Sequence, residues 1–119
     1  MKQRPDKGIL HEIFVCLHLQ RQLLPNMELR FWRTKRGDEV DFVIVKNRKP
    51  IPIEVKSDIK APQIPSGLAK FLHAYPECKQ AYVFNENLNG EVKVNNAIVQ
   101  FKTLNKAEQI EELQEVSDT

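Results

Sequence analysis

The chain lacks several features that would assign it to a functional class at once. No apolar run approaches the roughly 20 residues of a membrane-spanning helix, so we predict no membrane span. The 119 residues contain only four glycines, and neither a GxxxxGK[ST] nor a GxGxxG pattern occurs. Those patterns let a backbone loop wrap a nucleotide phosphate, so their absence argues against a nucleotide site of the familiar kinds.

Cysteine is also scarce. Cys16 and Cys78 are the only two, and neither belongs to a CxxC or another zinc-type spacing. A reduced pair in a cytoplasmic protein is therefore the simplest interpretation. The first residues, MKQRPDKG, are charged and are not followed by a signal-type apolar segment, which also favours the cytoplasm over secretion.

The length predicts a single domain over 1–119, with a core at about 8–102. The net charge is +2, but residues 106–119 carry −4 and the rest of the chain therefore carries +6. A basic body with an acidic carboxyl end is compatible with nucleic-acid binding, although many unrelated domains share it.

Apolar patterning and turn residues predict an α/β fold with a central, mixed, four-stranded sheet flanked by helices. The strand–helix–strand connection after the hairpin predicts that the third and fourth strands are parallel. The expected elements are a helix over 8–24, a strand over 28–35, a two-stranded hairpin within 37–57, a helix capped by Ser66 and stopped by Pro76, a strand over 80–84, one or two short strands over 92–101, and an acidic, solvated helix over 105–116.

The hairpin, GDEVDFVIVKNRKPIPIEVKS, has two unlike faces. Strand side chains alternate, so Glu54 and Lys56 share one face, and Asp41 joins them there. The opposite face is wholly apolar, formed by Val40, Phe42, Ile44, Ile51, Ile53 and Val55. Charged groups in a largely buried hairpin are costly unless they are paired. The polar triad therefore indicates either pairing among its members or a functional role.

The expected register brings the triad together. A turn centred on Arg48 and Lys49 would set Val43 opposite Glu54 and Asp41 opposite Lys56. Asp41 would then be diagonal to Glu54, with their Cβ atoms roughly 7 Å apart at most. Two carboxylates at that separation can share a divalent metal ion, with an ammonium group beside them.

Glu12 is the unusual member of the first helix, because it shares a helical line with Cys16, Leu19 and Leu23. Either it points into a site, or it simply lies in the first turn, where the helix dipole favours a carboxylate. His11 and His18 are seven residues apart, which is not the spacing of a helical metal pair. We expect both at the surface or its boundary.

Basic residues surround the single tryptophan, Trp32, on the first strand and the turn after it. Basic side chains interleaved with an aromatic ring can hold a phosphate backbone and stack a base. More commonly they form a solvated strand edge that prevents aggregation. These two interpretations apply to Arg30, Arg33, Lys35 and Arg36. Lys60 and Lys70 flank the triad in sequence, and they either meet phosphates or are ordinary solvent-exposed lysines.

Phosphodiester hydrolysis can use the acidic set. Asp41 and Glu54, with the backbone carbonyl of Val55, offer hard oxygen ligands for Mg²⁺ or Mn²⁺. Such an ion polarises a phosphoryl oxygen and lowers the pKa of a water molecule. Lys56 would orient or deprotonate that water, or stabilise the developing negative charge. Glu12 would complete the ligand shell, directly or through a water.

These residues resemble the PD-(D/E)XK nuclease superfamily, which has the restriction-endonuclease-like fold with an αβββαβ core. GDEVDFVI followed by IPIEVKS is similar to its second and third motifs, and Glu12 matches the acid that precedes the sheet. Val40 stands where the name of the superfamily has proline. More narrowly, the runs GILHEIFV, ELRFWRTKRGDEVDFVI, IPIEVKS, GLAKFLHAYP and AYVF resemble the nuclease-like carboxyl-terminal domain of a family of prokaryotic AAA-type ATPases, over about residues 8–102.

The resemblance implies metal-binding roles for Asp41 and Glu54, a catalytic role for Lys56 and an accessory role for Glu12. It also implies DNA as the substrate, with RNA as a second option, an AAA-type ATPase module in cis or in trans as a partner, and a homodimer as one way to cut two strands. Two alternatives stay open. One is a non-catalytic module that binds nucleic acid or regulates an ATPase, and the other is a purely structural cluster of salt bridges.

Overall fold

A computed structural model of the chain describes residues 7–113. Within that range the chain folds as a mixed α/β structure with two helices and one six-stranded sheet. The elements in chain order are α1 (Lys7–Gln22), β1 (Met27–Arg33), β2 (Glu39–Lys46), β3 (Lys49–Val55), α2 (Ser66–Ala74), β4 (Gln80–Asn85), β5 (Gly90–Val94) and β6 (Ala97–Thr103), followed by 3₁₀ turns at Leu104–Glu108 and Glu111–Leu113. Neither helix in the described part has the length and apolarity that a membrane crossing needs.

The strands lie in the order β1-β2-β3-β4-β6-β5. β1, β2 and β3 pair antiparallel, β4 is parallel to both β3 and β6, and β5 returns antiparallel to β6. The predicted mixed sheet and the parallel pairing of the third and fourth strands are confirmed. The segment predicted as one or two strands forms two, joined at Asn95 and Asn96, and they extend the sheet from four strands to six.

The β2–β3 hairpin turns at Asn47 and Arg48, one residue earlier than predicted. Both residues have positive φ, 53° and 68°, as a two-residue type I′ hairpin turn requires. Val43 therefore pairs with Pro52 instead of Glu54, so the predicted register was wrong by two residues. A slip of two leaves every side chain on its predicted face, because the side-chain period of a strand is two.

A bulge in β2 changes the face of one predicted residue. Arg30 pairs with Val43 and Trp32 with Val40, so two residues of β2, Asp41 and Phe42, lie opposite the single residue between Arg30 and Trp32. Val40 consequently packs with Val43 and Leu68 beneath α2, not on the opposite apolar face as predicted. The irregularity falls at the first acidic residue of the triad.

Each face of the sheet is covered by its own core. On one face Phe42, Ile44 and Ile53 contact Val15 and Leu19 of α1, together with residues of the carboxyl-terminal turns. On the other face Val43 and Val83 contact the α2 residues Leu68, Phe71 and Leu72. The hairpin is therefore buried on both sides, as its sequence predicts.

The helices differ from their predicted forms in detail. α1 ends at Gln22 instead of Leu24, and four apolar residues on its outer face, Ile9, Leu10, Ile13 and Leu17, are each at least half exposed. α2 is preceded by Pro65 at its N-cap position, with no side-chain hydrogen bond to cap it. Ser66 is the first helical residue, so its predicted capping role was wrong.

The predicted solvated helix over 105–116 is also wrong within the described residues, and residues 114–116 lie outside them. Ala107, Ile110 and Leu113 are buried, and their spacing of three suits the 3₁₀ turns found there. Gln22 secures this segment, because its Nε2 donates to the Ala107 carbonyl and its Oε1 accepts from the Ile110 N–H, both at 2.7 Å.

Candidate functional site

A polar cleft of about 230 Å³, which we call the carboxylate cleft, lies where β2 and β3 meet the start of α2. β2 contributes Asp41, β3 contributes Glu54, and Lys56 follows one residue after β3 ends. The turn before β2 and the first residues of α2 form the remaining walls, namely Gly37, Asp38, Glu39, Pro65, Ser66 and Gly67. Three of the four residues predicted to carry chemistry therefore line one cleft.

Asp41 and Glu54 are linked by hydrogen bonds to each other's strand. The Val55 N–H donates to Asp41 Oδ2 at 2.8 Å, and the Asp41 N–H donates to Glu54 Oε1 at 3.2 Å. The last backbone pair between the strands is Phe42 with Ile53, so the next position sets Asp41 across from Glu54. The prediction placed Asp41 diagonal to Glu54 and opposite Lys56. In the structure Asp41 lies directly opposite Glu54.

Glu54 is buried, and its surroundings make its negative charge expensive. Burial raises its pKa to about 8, and both the Asp41 charge and a hydrogen bond with the Asp41 carboxyl act in the same direction. Lys56 lowers it, but by less. At neutral pH the pair therefore favours retaining a proton, and a cation placed between the two carboxyl groups would compete with that proton.

The donor set fits a small divalent cation. Mg²⁺ commonly uses one or two protein carboxylates and fills its other positions with water and substrate oxygens. Among residues 7–113 no group of three or more His, Cys, Asp or Glu side chains is close enough to share one ion. If an ion binds between the two strands, Asp41 and Glu54 are the carboxylates placed to hold it, because hydrogen bonds join each to the other's strand. The Val55 carbonyl as a further ligand stays a prediction.

Lys56 is exposed, and its backbone N–H donates to the Phe84 carbonyl at 2.9 Å. This bond extends the β3–β4 pairing by one residue and fixes the backbone from which the side chain leaves. The lysine side chain is thus exposed to solvent on a fixed backbone, and it lines the same cleft as the carboxylate pair.

Glu12 is exposed and lies in a neighbouring cleft of about 460 Å³, which it shares with Asp41 and with residues of β1. Asp41 borders both clefts, whereas Glu54 and Lys56 border only the first of these two. The structure therefore brings Glu12 towards Asp41 but does not gather all four predicted residues in one cleft.

Three of the six predicted basic residues have acidic partners. Arg30 pairs with Glu28 and Arg33 with Glu39, while Lys70 lies 3.7 Å from Asp38. These partners reduce the positive charge of the β1 edge. Lys35, Arg36 and Lys60 are exposed in loops, and Trp32 is half-buried against Phe71.

One polar cluster escaped prediction. His11 Nδ1 lies 3.2 Å from Ser57 Oγ, and His11 Nε2 lies 3.5 Å from Glu86 Oε2. His11 was placed correctly at the boundary of the fold, but its partners are distant in sequence and no local pattern marks them. Asp38 and Gly67, which also line the carboxylate cleft, were missed for the same reason.

These features define a mixed α/β domain with a carboxylate pair at a bulge and an exposed lysine beside it. The chain belongs to the family described as Domain of unknown function (DUF4143), whose model matches residues 7–109. No curated protein matches the chain.

Proposed function

We propose that this domain is a nuclease of the PD-(D/E)XK type that requires a divalent metal ion and hydrolyses phosphodiester bonds, with DNA as its main substrate. The observation that carries the proposal is the pair formed by Asp41 and Glu54, one of them buried, with Lys56 on the same cleft. The order of elements supports it, since a helix, three strands, a helix and a strand is the restriction-endonuclease-like core that the sequence resembles.

Asp41 and Glu54 would hold Mg²⁺ or Mn²⁺. A bound ion supplies Lewis-acid polarisation of a phosphoryl oxygen and makes a water molecule more acidic. The protein's own contribution is to hold the two carboxylates rigidly, since each accepts a backbone hydrogen bond from the opposite strand. Such pre-organised groups need no rearrangement when charge develops in the transition state.

Lys56 would donate hydrogen bonds to the attacking water or to a phosphoryl oxygen. Its exposure allows the ammonium group to meet a substrate that enters the open cleft. The start of α2, at Ser66 and Gly67, borders the same cleft. The first N–H groups of a helix have no carbonyl partner within it and lie at the positive end of the dipole, so they favour a phosphate oxygen.

A second candidate is a non-catalytic module that binds nucleic acid or regulates an AAA-type ATPase in cis or in trans. The position of Glu12 favours it, because the carboxylate cleft holds two of the three predicted acids. A purely structural salt-bridge cluster has less support. Within residues 7–113, Lys56 forms no salt bridge with Asp41 or Glu54.

The deciding experiment is cleavage of labelled single- and double-stranded DNA with Mg²⁺ or Mn²⁺. We expect the parent to cut, EDTA to stop it, and Lys56→Ala to lose on the order of 10²-fold in rate, as expected for removing one transition-state donor. Lys93→Ala, an exposed lysine on β5, is the matched control and should cut like the parent. Equal cutting by the parent and Lys56→Ala would rule out the enzyme. Retention of DNA without cutting, weakened by salt, would support the binding module.

A further inference from the structure

A third recess lies on the α2 face of the sheet, at the carboxyl end of that helix. Its volume is about 280 Å³, and we call it the aromatic pocket. The residues that define it here are Trp32, Val43, Arg48, Phe71, Tyr75 and Glu77. None of the four residues assigned to the phosphodiester chemistry lines it.

Three aromatic rings form a continuous wall of this pocket. The centroids of Trp32 and Phe71 are 5.3 Å apart with the rings nearly perpendicular, and those of Phe71 and Tyr75 are 4.6 Å apart. Phe71 is only 2% exposed, so it anchors the wall, while Tyr75 is 37% exposed and Trp32 is half-buried. Two large rings are thus fixed in place by a buried third and still present surface to solvent.

The size and the rim of the pocket suit one planar, polar ring. Pockets for drug-sized ligands begin near about 300 Å³, so this recess has room for a single ring system. Stacking on an aromatic side chain contributes on the order of 1–3 kcal/mol per nucleobase. At the rim, the Glu77 carboxylate can accept from an exocyclic amino group, and the Arg48 guanidinium can bind a phosphate.

The pocket is also within reach of the carboxylate cleft. β2 contributes Asp41 to the cleft and Val43 and Val45 to the pocket, on the same face of the sheet. Asp41 and Val45 are four residues apart, which corresponds to roughly 13 Å along a strand. A single strand of a few nucleotides therefore spans the distance between them.

We infer that the aromatic pocket binds one nucleobase of single-stranded nucleic acid and prefers a base that carries an exocyclic amino group. The base stacks on Tyr75 and Trp32, Glu77 accepts a hydrogen bond from the amino group, and Arg48 meets the backbone. The inference rests on the proposed function only in taking nucleic acid as the substrate. It adds the place where the nucleic-acid strand binds the protein and the bases that are favoured there.

Trp32 reports on the pocket directly, because it is the single tryptophan of the chain. Its fluorescence would be titrated with short oligo(dC), oligo(dT) and abasic DNA strands in EDTA, so that neither metal binding nor cleavage contributes. We expect saturable quenching by oligo(dC), with oligo(dT) binding about threefold to tenfold more weakly, the value of one hydrogen bond. The abasic strand should bind at least about tenfold more weakly.

Variants separate the three contacts. Tyr75→Ala should weaken binding about tenfold or more, whereas Tyr75→Phe should keep it. Glu77→Ala should remove the preference for oligo(dC). Arg48→Asn should weaken oligo(dC), oligo(dT) and the abasic strand by a similar factor, because its contact is with the backbone. Asparagine tolerates the positive φ at this position. Arg21→Gln, an exposed arginine at the end of α1, is the matched control and should leave every affinity unchanged.

Two results of the binding experiment would overturn the inference: equal binding of the abasic strand, or parent-like binding by Tyr75→Ala. Cleavage of DNA without any change in Trp32 fluorescence would also reject the pocket, while leaving the nuclease proposal intact. Conversely, base-dependent quenching by a protein that does not cut DNA would support the pocket and reject the enzyme.

Discussion

The carboxylate of Glu54 accepts a hydrogen bond of 3.2 Å from the backbone N–H of Asp41. The Asp41 carboxylate in turn accepts one of 2.8 Å from the residue after Glu54. At the open end of the β2–β3 hairpin, the side chains of these two acids therefore accept the interstrand hydrogen bonds that backbone carbonyls accept elsewhere in the sheet. Truncating either to alanine would leave a partly buried N–H without its partner, at a cost of about 1–3 kcal/mol at most. Amide substitutions, which keep an accepting oxygen, are the better probes of chemistry.

Divalent metal ions should stabilise the protein through this pair. We expect Mg²⁺ or Mn²⁺ at millimolar concentration to raise the melting temperature, since an ion present at a hundredfold its Kd contributes about 2.7 kcal/mol. EDTA should reverse the rise, and Asp41→Asn should abolish it. Thermal unfolding followed by circular dichroism checks this. If neither ion shifts the parent, the metal site is refuted.

The stability of the metal-free protein should fall as the pH rises. The pKa of Glu54 is about 8 in the folded protein, whereas its ordinary value is 4.5. Between these values the folded state binds more protons than the unfolded state, so the free energy of unfolding decreases with increasing pH. The contribution of protonated Glu54 to the free energy of unfolding is complete below pH 4.5, and it is lost as the pH rises through 8.

Glu54→Gln should lack this loss because glutamine does not ionise. In EDTA at pH 9 we expect the variant to be more stable than the parent by about 1 kcal/mol or more, on the scale of 1.4 kcal/mol per pKa unit. Near pH 4 the two proteins should be similar. Urea unfolding at both pH values measures the difference, and parallel pH profiles would contradict the prediction.

Gly67 should not tolerate a side chain. A Cβ atom at this position would overlap the carbonyl oxygen of Glu39, which belongs to the backbone and cannot swing aside. Gly67→Ala should therefore destabilise the fold by about 2 kcal/mol or more. Gly90→Ala is the control, because no atom lies within 4 Å of its Cβ position, and it should change stability by at most about 0.5 kcal/mol. Equal effects in chemical denaturation would refute the close approach.

The two cysteines should react at different rates. Cys78 is buried, which raises the pKa of its thiol to about 11, so little thiolate exists at pH 8. Cys16 is half-buried on α1. Iodoacetamide at pH 8 should modify Cys16 at least about tenfold faster, as measured by mass spectrometry of peptides. A Cys16→Ser protein that is alkylated as rapidly as the parent would show that the assignment is wrong.

The sequence predicts those parts of the fold that depend on local pattern. Alternation from Phe42 to Val55 identifies the hairpin and its faces, and the connection through α2 predicts the parallel β3–β4 pairing. The turn at Asn47 and Arg48 was misplaced because a register slip of two residues preserves both faces, so hydrophobic patterning cannot detect it. The face of Val40 depends on the β2 bulge, which arises from pairing with β1 and has no local signature.

The candidate site was predictable in its members but not in its arrangement. Asp41, Glu54 and Lys56 could be grouped because they lie on one hairpin. The distance of Glu12 from Glu54 depends on how α1 packs on the sheet, and the spacing of apolar residues along the helix does not determine that packing. The carboxyl-terminal turns were mistaken for a helix because Ala107, Ile110 and Leu113, spaced by three, fit either an α-helix or a 3₁₀ turn.

The absence of a side chain at Gly67 has a mechanical consequence. α2 rests on β2 through main-chain contact at Glu39, so the nine-residue helix is supported close to one end. Its first residues form a wall of the carboxylate cleft, and Phe71 and Tyr75 at its far end form a wall of the aromatic pocket. The helix thus forms part of both recesses, so a substitution that shifts it as a rigid body would alter the shape of both at once.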